Sequence, residues 1–360
     1  MKYVEIKGIG FPNKGAELLL CATLEQIKPY DMTVCMEPYS PFSYKINYPI
    51  ATKTSIYKWG LNLLFPLNFL PSYITNRLGF VKPSQVDLIL DASGFAYGDD
   101  WSISLAKSRI LSENTSAKIV LLPQSLGPFT QKNSIKVARK LAKKANSIYS
   151  REFSGREYFE EATGQKVKYC PDITFNLKVD KFNEKNQGVL IIPNFQVQKR
   201  EGKSYIENLT SIIKYILKSE KSEVKLLNHE GVKDQIICEE IRDKIFVDVK
   251  TRLEILNPVN GIEAKREIAS SELVITSRYH GLISALSQQI PVACYGWSFK
   301  YNDAISRFNL PKFNLSKVNE KELDKILSNE YASLFFSEEY KEELDLVQSE
   351  VMQMWANVFE

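Results

Sequence analysis

Short apolar runs alternate with longer amphipathic stretches along the whole chain, in the rhythm of strands followed by helices. Residues 3–6 alternate and then meet Gly8 and Gly10, which predicts a strand leaving a sheet. Residues 15–27 carry Leu18, Leu19, Ala22 and Ile27 at helical spacing. Further strands are predicted at 86–90, 118–122 and 147–149. A helix at 135–145 turns out Lys136, Arg139, Lys140, Lys143 and Lys144 as a basic face. A polar, aperiodic stretch at 182–188 reads as a linker. The rhythm then restarts, with strands at 189–192, 223–227, 273–276 and 291–295. Helices are predicted between them at 205–217, 235–242, 262–269 and 281–287, and a long one closes the chain at 338–358. This alternation predicts an α/β protein of two Rossmann-like doubly wound lobes, 1–182 and 188–335, with the segment 338–360 rejoining the first. Ligands of such sheets bind outside the carboxyl ends of the strands, so a cleft between the lobes is expected, lined by residues that follow strands.

Composition narrows the classes. With 360 residues, 44% hydrophobic and 25% charged, the chain can bury normal cores and is long enough for two. A net charge of +4 is too mild for a nucleic-acid partner but suits small anions. Cys21, Cys35, Cys170, Cys238 and Cys294 are scattered without a CxxC pair, as in a reducing compartment. His229 and His280 are the only histidines, so no metal site of several histidines is expected. Glu5 and Lys7 interrupt any leader-like apolar run, and a cytoplasmic protein is expected. The uncharged stretch 59–76 contains Asn62, Pro66, Asn68 and Pro71, which is poor for a spanning helix. Its flanking Lys53, Lys58, Arg77 and Lys82 allow a peripheral contact with the inner face of a membrane; helices packed within the first lobe are the alternative.

Four segments after strands carry candidate chemistry. Ser277-Arg278-Tyr279-His280-Gly281 follows one strand and opens a helix. There, free N–H groups, the guanidinium fork of Arg278 and the imidazole of His280 would meet an anion. An arginine and a capping histidine that brace the lobe are the alternative. Pro123-Gln124-Ser125-Leu126-Gly127-Pro128-Phe129 reads as a rigid loop presenting Gln124 and Ser125, or as a plain turn. Asp91-Ala92-Ser93-Gly94 offers a carboxylate and close backbone approach, whereas Asp99 and Asp100 read better as turn or helix-cap residues. The loop from Gly8 to Glu17 matches neither a dinucleotide nor a Walker pattern and reads as an anion or sugar loop. Asn228-His229-Glu230 reads as a polar turn.

Together these segments resemble the polysaccharide pyruvyl transferase family. The resemblance is carried, in family order, by Asn13-Lys14-Gly15-Ala16-Glu17, Asp91-Ala92-Ser93-Gly94, Pro123 to Phe129, Ser150-Arg151-Glu152 with Ser154, and Pro171-Asp172. Ser277-Arg278-Tyr279-His280-Gly281, with Lys300 beyond the next strand, completes it. The resemblance implies lobes arranged as in GT-B enzymes, and transfer of a pyruvyl group from phosphoenolpyruvate to a sugar, giving a pyruvate ketal and phosphate. It implies a donor-binding motif containing Arg278 and His280, with Ser277, Gly281 and Lys300 as substrate-binding candidates beside them. Gln124, Ser125, Asp91, Asn13 and Glu17 are further substrate-binding candidates, with Asp91 or Glu17 as the base. The co-substrate is phosphoenolpyruvate, and no resident cofactor or metal is expected. The acceptor would be a sugar or lipid-linked oligosaccharide of a cell-wall or exopolysaccharide. The loop departs from the family where Gly15-Ala16-Glu17 stands in place of Gly-Asp, which bears on the acceptor. A nucleotide-sugar glycosyltransferase of the same architecture and a non-catalytic sugar-binding relative are the rival readings.

Overall fold

A computed structural model describes residues 2–38, 47–55, 57–58, 61–100, 110–111, 115–182, 188–219, 222–245, 251–296, 299–317 and 319–360. The chain divides into two compact units. The first comprises Met1–Phe11, Leu19–Ile173 and Gln353–Glu360; the second comprises Pro12–Leu18 and Thr174–Met352. The change of unit after Ile173 precedes the expected linker, of which 183–187 lie outside the described residues. Pro12–Leu18, the start of the first helix, belongs to the second unit.

The first unit is built on strands β1 (Tyr3–Lys7), β2 (Thr33–Met36), β3 (Ala51–Lys53), the short antiparallel pair β4 (Tyr57–Lys58) and β5 (Leu61–Asn62), and β6 (Phe80–Val81). It continues through β7 (Leu88–Asp91), β8 (Phe95–Tyr97), β9 (Lys118–Leu126), β10 (Ser147–Ser150) and β11 (Lys168–Tyr169). The main sheet runs β11-β10-β9-β7-β1-β2-β3-β6, with β8 beside β9. Leu88–Leu90 of β7 and Ile119–Leu122 of β9 are continuous apolar runs because both faces are covered, whereas β1 buries Glu5 and Lys7 among its apolar residues. Ile89, Leu121 and Ile148 pack with Val137, Ala138 and Leu141 of the helix Lys132–Lys144 and with Phe159 of the helix Phe153–Thr163.

One strand is longer than its pattern suggests. Pro123-Gln124-Ser125-Leu126 is not a loop but the end of β9, where Ser125 pairs with Phe95 and Gln124 with Ser150. The pairing steps from Ile148↔Leu121 to Ser150↔Gln124, leaving one extra residue in β9. Such a bulge accommodates Pro123, which has no N–H for the ladder.

Asp99 fills the capping role read for it. Its carboxylate accepts hydrogen bonds from Thr130 N–H (3.0 Å), Thr130 Oγ1 (2.6 Å), Gln131 N–H (3.1 Å) and Ser134 Oγ at the start of the helix Lys132–Lys144. Partial desolvation raises its pKa, but the bonds from Ser134, Thr130 and Gln131 outweigh it and hold the carboxyl at about 2, below the ordinary 3.8. A depressed carboxyl contributes stability above its unfolded pKa and loses it as pH falls toward the folded value. Melting curves taken from about pH 5 to pH 2 should therefore fall less steeply for Asp99→Asn than for the parent.

The second unit contains β12 (Val189–Ile192), β13 (Val224–Leu227), β14 (Leu253–Leu256), β15 (Leu273–Thr276) and β16 (Val292–Cys294). They form one parallel sheet in the order β14-β13-β12-β15-β16. Ile206, Leu209, Ile212, Ile213 and Ile216 recur at helical spacing in Lys203–Ile216 and are buried in the same core as the sheet residues Leu190, Leu226 and Ile275. The strand order reverses between β12 and β15, which is where doubly wound sheets hold ligands.

Candidate active site

At this reversal, within the second unit, β15 ends at Thr276, and Thr276 Oγ1 accepts the Arg278 N–H at 3.0 Å. Arg278, in an extended conformation, caps the helix Tyr279–Leu286. Gly281 lies in the first turn of that helix. A Cβ there would overlap Thr276 Oγ1 and come within 3.1 Å of Ile192 Cδ1, so glycine lets the helix lie close on the strand ends. Ser277 is fully engaged by the scaffold. Its carbonyl accepts from Asn194 Nδ2 (2.8 Å) and the Tyr301 hydroxyl (2.9 Å), and its Oγ accepts from the Tyr205 hydroxyl (2.7 Å).

Arg278 is buried, 7% exposed, and its fork is filled by protein. Nη2 donates to both oxygens of Asp234 at 2.6 and 2.5 Å, Nη1 to Glu230, and Nε to the Pro193 carbonyl at 3.4 Å. Burial lowers the guanidinium pKa, but the Asp234 and Glu230 carboxylates outweigh it and keep the group charged. This differs from an arginine standing open at a strand end.

Asn228-His229-Glu230, which reads as a polar turn, enters the site. Asn228 Nδ2 donates to Asn257 Oδ1 at 2.9 Å, and Glu230 meets Arg278. His229 is 2% exposed, and neither ring nitrogen has a hydrogen-bond partner. Burial first, then the charges of Arg278, His280 and Lys14, push its pKa well below the ordinary 6.5. His229 is therefore a neutral imidazole at pH 7.

The first-loop motif closes the same site. Asn13 Oδ1 accepts the N–H groups of Gly15 (2.9 Å) and Ala16 (3.3 Å), capping the helix Lys14–Ile27. Glu17 accepts the Gly261 N–H at 2.8 Å, at the start of the helix Gly261–Ala269. Gly15 packs against His280 so closely that a Cβ would overlap the imidazole. His280 is half-buried, edge-on to Tyr279 with centroids 5.6 Å apart. Lys300 Nζ lies 6.0 Å from the Tyr279 ring. Lys14 is 7% exposed, and its ammonium forms no hydrogen bond or ion pair among the described residues. Burial lowers its pKa, Glu17, Asp234 and Glu263 pull it back up, and Arg278 lowers it further.

The structure thus brings Arg278, His280, Ser277, Gly281, Asn13 and Glu17 together, with Lys300 beside Tyr279. Asp91, Gln124 and Ser125 lie in the first unit, all fully buried. Asp91 accepts from the Ser93 N–H (3.0 Å), the Ser93 hydroxyl and the Tyr97 hydroxyl (2.5 Å). Ser125 Oγ donates to Glu152 at 2.7 Å and accepts from Arg151 at 3.0 Å, and Arg151 pairs with Asp172 at 2.8 Å. Lys14, His229, Glu230 and Asp234 were not singled out by sequence reasoning as site residues. The available signal was position: His229 and Glu230 sit just after β13, at the same end of the sheet as Arg278. Among the described residues, no group of three or more His, Cys, Asp or Glu is arranged to hold a metal ion.

Solved structures share this architecture at low identity. Anabaena HepE, in complex with UDP and glucose, aligns at 13% identity over 99% of this chain and 100% of its own, with a TM-score of 0.61. The Neisseria meningitidis UDP-GlcNAc 2-epimerase bound to UDP-GlcNAc gives 12% over 98% and 100%, with a TM-score of 0.60. The glycotransferase of kitacinnamycin gives 8% over 99% and 97%, with a TM-score of 0.55. The protein is thus of the α/β class with two Rossmann-like lobes, the fold of GT-B glycosyltransferases and these epimerases. A family model, polysaccharide pyruvyl transferase, matches residues 13–299, from the Asn13 cap to the last residue before Lys300. The chain belongs to that family and is a transferase. No curated protein matches the sequence significantly.

Proposed function

We propose that this enzyme transfers a pyruvyl group from phosphoenolpyruvate to a sugar of a cell-surface or exopolysaccharide precursor, forming a pyruvate ketal and releasing phosphate. The observation that carries the reading is Lys14, a side chain only 7% exposed whose ammonium is bonded to no carboxylate among the described residues, beside Arg278 and two histidines at a helix N-terminus. A donor bearing both a carboxylate and a phosphate supplies the direct ion pair, where Glu17, Asp234 and Glu263 act on Lys14 only through their charge. Glu230 is the more exposed of Arg278's two partners, 34% against 0% for Asp234, so it is the one an incoming anion displaces. His280 then gives a proton to the methylene carbon of phosphoenolpyruvate and C2 becomes electrophilic. One sugar hydroxyl attacks C2, phosphate departs, and a second hydroxyl closes the ketal. The reading needs no resident cofactor, because the enol phosphate is already activated. It puts the reaction in the cytoplasm, in accord with five cysteines that are free and buried.

The test is phosphate release by the purified chain with phosphoenolpyruvate and a panel of lipid-linked or nitrophenyl sugars, run beside nucleotide-sugar donors. Turnover of a nucleotide sugar with none of phosphoenolpyruvate would sink the reading in favour of a glycosyltransferase. Sugar binding with no turnover of any donor would indicate a non-catalytic relative. Lys14→Met supplies a second check. A charge-assisted contact is worth about 1.5–3 kcal/mol, so its loss should raise the KM for phosphoenolpyruvate at least about tenfold. The same change removes a charge that burial of the side chain disfavours, and should raise the melting temperature.

A further inference from the structure

Apolar side chains that face water in a folded protein are normally scattered, and a contiguous set marks a surface that meets something. Six of the seventeen large hydrophobic residues exposed among the described residues fall within 63–78 of the first unit. They are Leu63 (52% exposed), Phe65 (54%), Phe69 (76%), Leu70, Tyr73 (74%) and Leu78 (63%). The backbone beneath them is regular: a 3-10 helix Phe65–Phe69 and an α-helix Ser72–Arg77. Between Phe65 and Arg77 the two helices bury a single side chain, Thr75. Polar residues tie this segment to the body of the unit. Asn68 Oδ1 accepts from Thr54 Oγ1 at 2.7 Å, Asn62 Nδ2 donates to the Thr54 carbonyl at 3.1 Å, and Asn76 shares a bond with the Tyr3 hydroxyl at 2.7 Å. The rings are turned outward, and Phe65 and Phe69 meet edge to face at 5.0 Å.

Charge selects the occupant. No Asp or Glu occurs from Pro38 to Val86, a run of 49 residues that contains Lys45, Lys53, Lys58, Arg77 and Lys82. Lys53 is consumed by a buried pair with Glu5 at 2.7 Å, whereas Arg77 is exposed within the same segment. Aromatic and leucine side chains next to cations, without acids, match the headgroup–acyl boundary of an anionic bilayer. A twofold pairing of this face with a second copy would instead bring its cations together with no acidic residue in the segment to offset them. We infer that residues 63–78 form a docking surface that seats the enzyme on an anionic membrane. This inference stands on the exposed surface and is independent of the donor chemistry.

The test uses the full chain, sedimented with vesicles of phosphatidylcholine plus phosphatidylglycerol and with phosphatidylcholine alone. The expected result is binding to the mixed vesicles that weakens with salt. Phe65→Ser/Phe69→Ser/Tyr73→Ser should lower partitioning at least about tenfold, since each buried ring contributes more than a tenfold factor needs to be shared among three. Its melting curve should match the parent's, because the replaced rings face solvent. No sedimentation of the parent at low salt overturns the inference. So does a triple variant that binds as well as the parent, or loss of binding only when Lys136, Lys140 and Lys143 of the basic helix are changed to Glu. A parent that is dimeric, with a monomeric triple variant, would show the face to be an interface between copies.

Discussion

Arg278→Ala is expected to destabilise the second unit by about 3–5 kcal/mol, because it leaves buried carboxylate charge without its partner. Asp234 is 0% exposed and gives both oxygens to Nη2, and Glu230 takes Nη1. Read from sequence, the same substitution should remove most activity with little effect on the fold, since a strand-end arginine is expected to meet an anion. The structure makes the scaffold effect the larger one. Arg278→Lys should recover only part of the loss, because an ammonium cannot reproduce a fork that spans two carboxylates. Arg278→Ala/Asp234→Asn should be more stable than Arg278→Ala alone, since the buried charge is removed with its partner. Thermal melting of the three variants checks this. Melting of Arg278→Ala at the parent's temperature would mean that Asp234 finds another partner, and the clamp would then have no structural weight. Activity of Arg278→Ala is therefore informative only below its own melting transition.

His280→Ala is expected to lower the turnover of phosphate release by about 100- to 10,000-fold, the usual contribution of a positioned general acid. The KM for phosphoenolpyruvate should change much less, in contrast to Lys14→Met. His280→Gln, which can donate a hydrogen bond but cannot cycle a proton at neutral pH, should not restore turnover. Gly15→Ala is a companion that leaves the histidine in the sequence. The added methyl overlaps the imidazole and forces it to move. Misplacement of a reacting group costs turnover steeply, so this variant should resemble His280→Ala while retaining the imidazole. Initial rates against donor concentration, at fixed acceptor, separate the cases. Recovery of most activity in His280→Gln would reassign the residue to hydrogen bonding.

Much of the architecture was legible in consecutive residues. Strands near 189–192 and 273–276 and the helices that follow them are written as apolar runs and helical repeats. The family resemblance rests on motifs in order, and the match over 13–299 agrees with it. Legibility failed where a residue's neighbours lie far along the chain. Pro123 argued for a loop, but a bulge opposite Ile148 and Ser150 absorbs its missing N–H and β9 runs on to Leu126. Residues 59–76 read as aromatic and uncharged, which suits helices packed in the first lobe as well as a surface. Exposure of Phe65, Phe69 and Tyr73, with Asn68 bonded to Thr54 beneath them, decides between the two, and periodicity in so short a segment cannot report it.

By itself, then, the sequence determined the α/β class, the family and the strand end at which Arg278 and His280 stand, because these are properties of local patterns and of motif order. Only the tertiary structure decided what those residues touch. Arg278 meets Glu230 and Asp234 across separations of 48 and 44 residues, and Glu17 reaches Gly261 across 244. Lys14 arrives in the same place, where the charges of Glu17, Asp234 and Glu263 act on it. The charge state and freedom of a buried cation are set by the low dielectric and the partners around it. Those partners are assembled by packing of β12, β13 and β15, so they exist only once the sheet has formed.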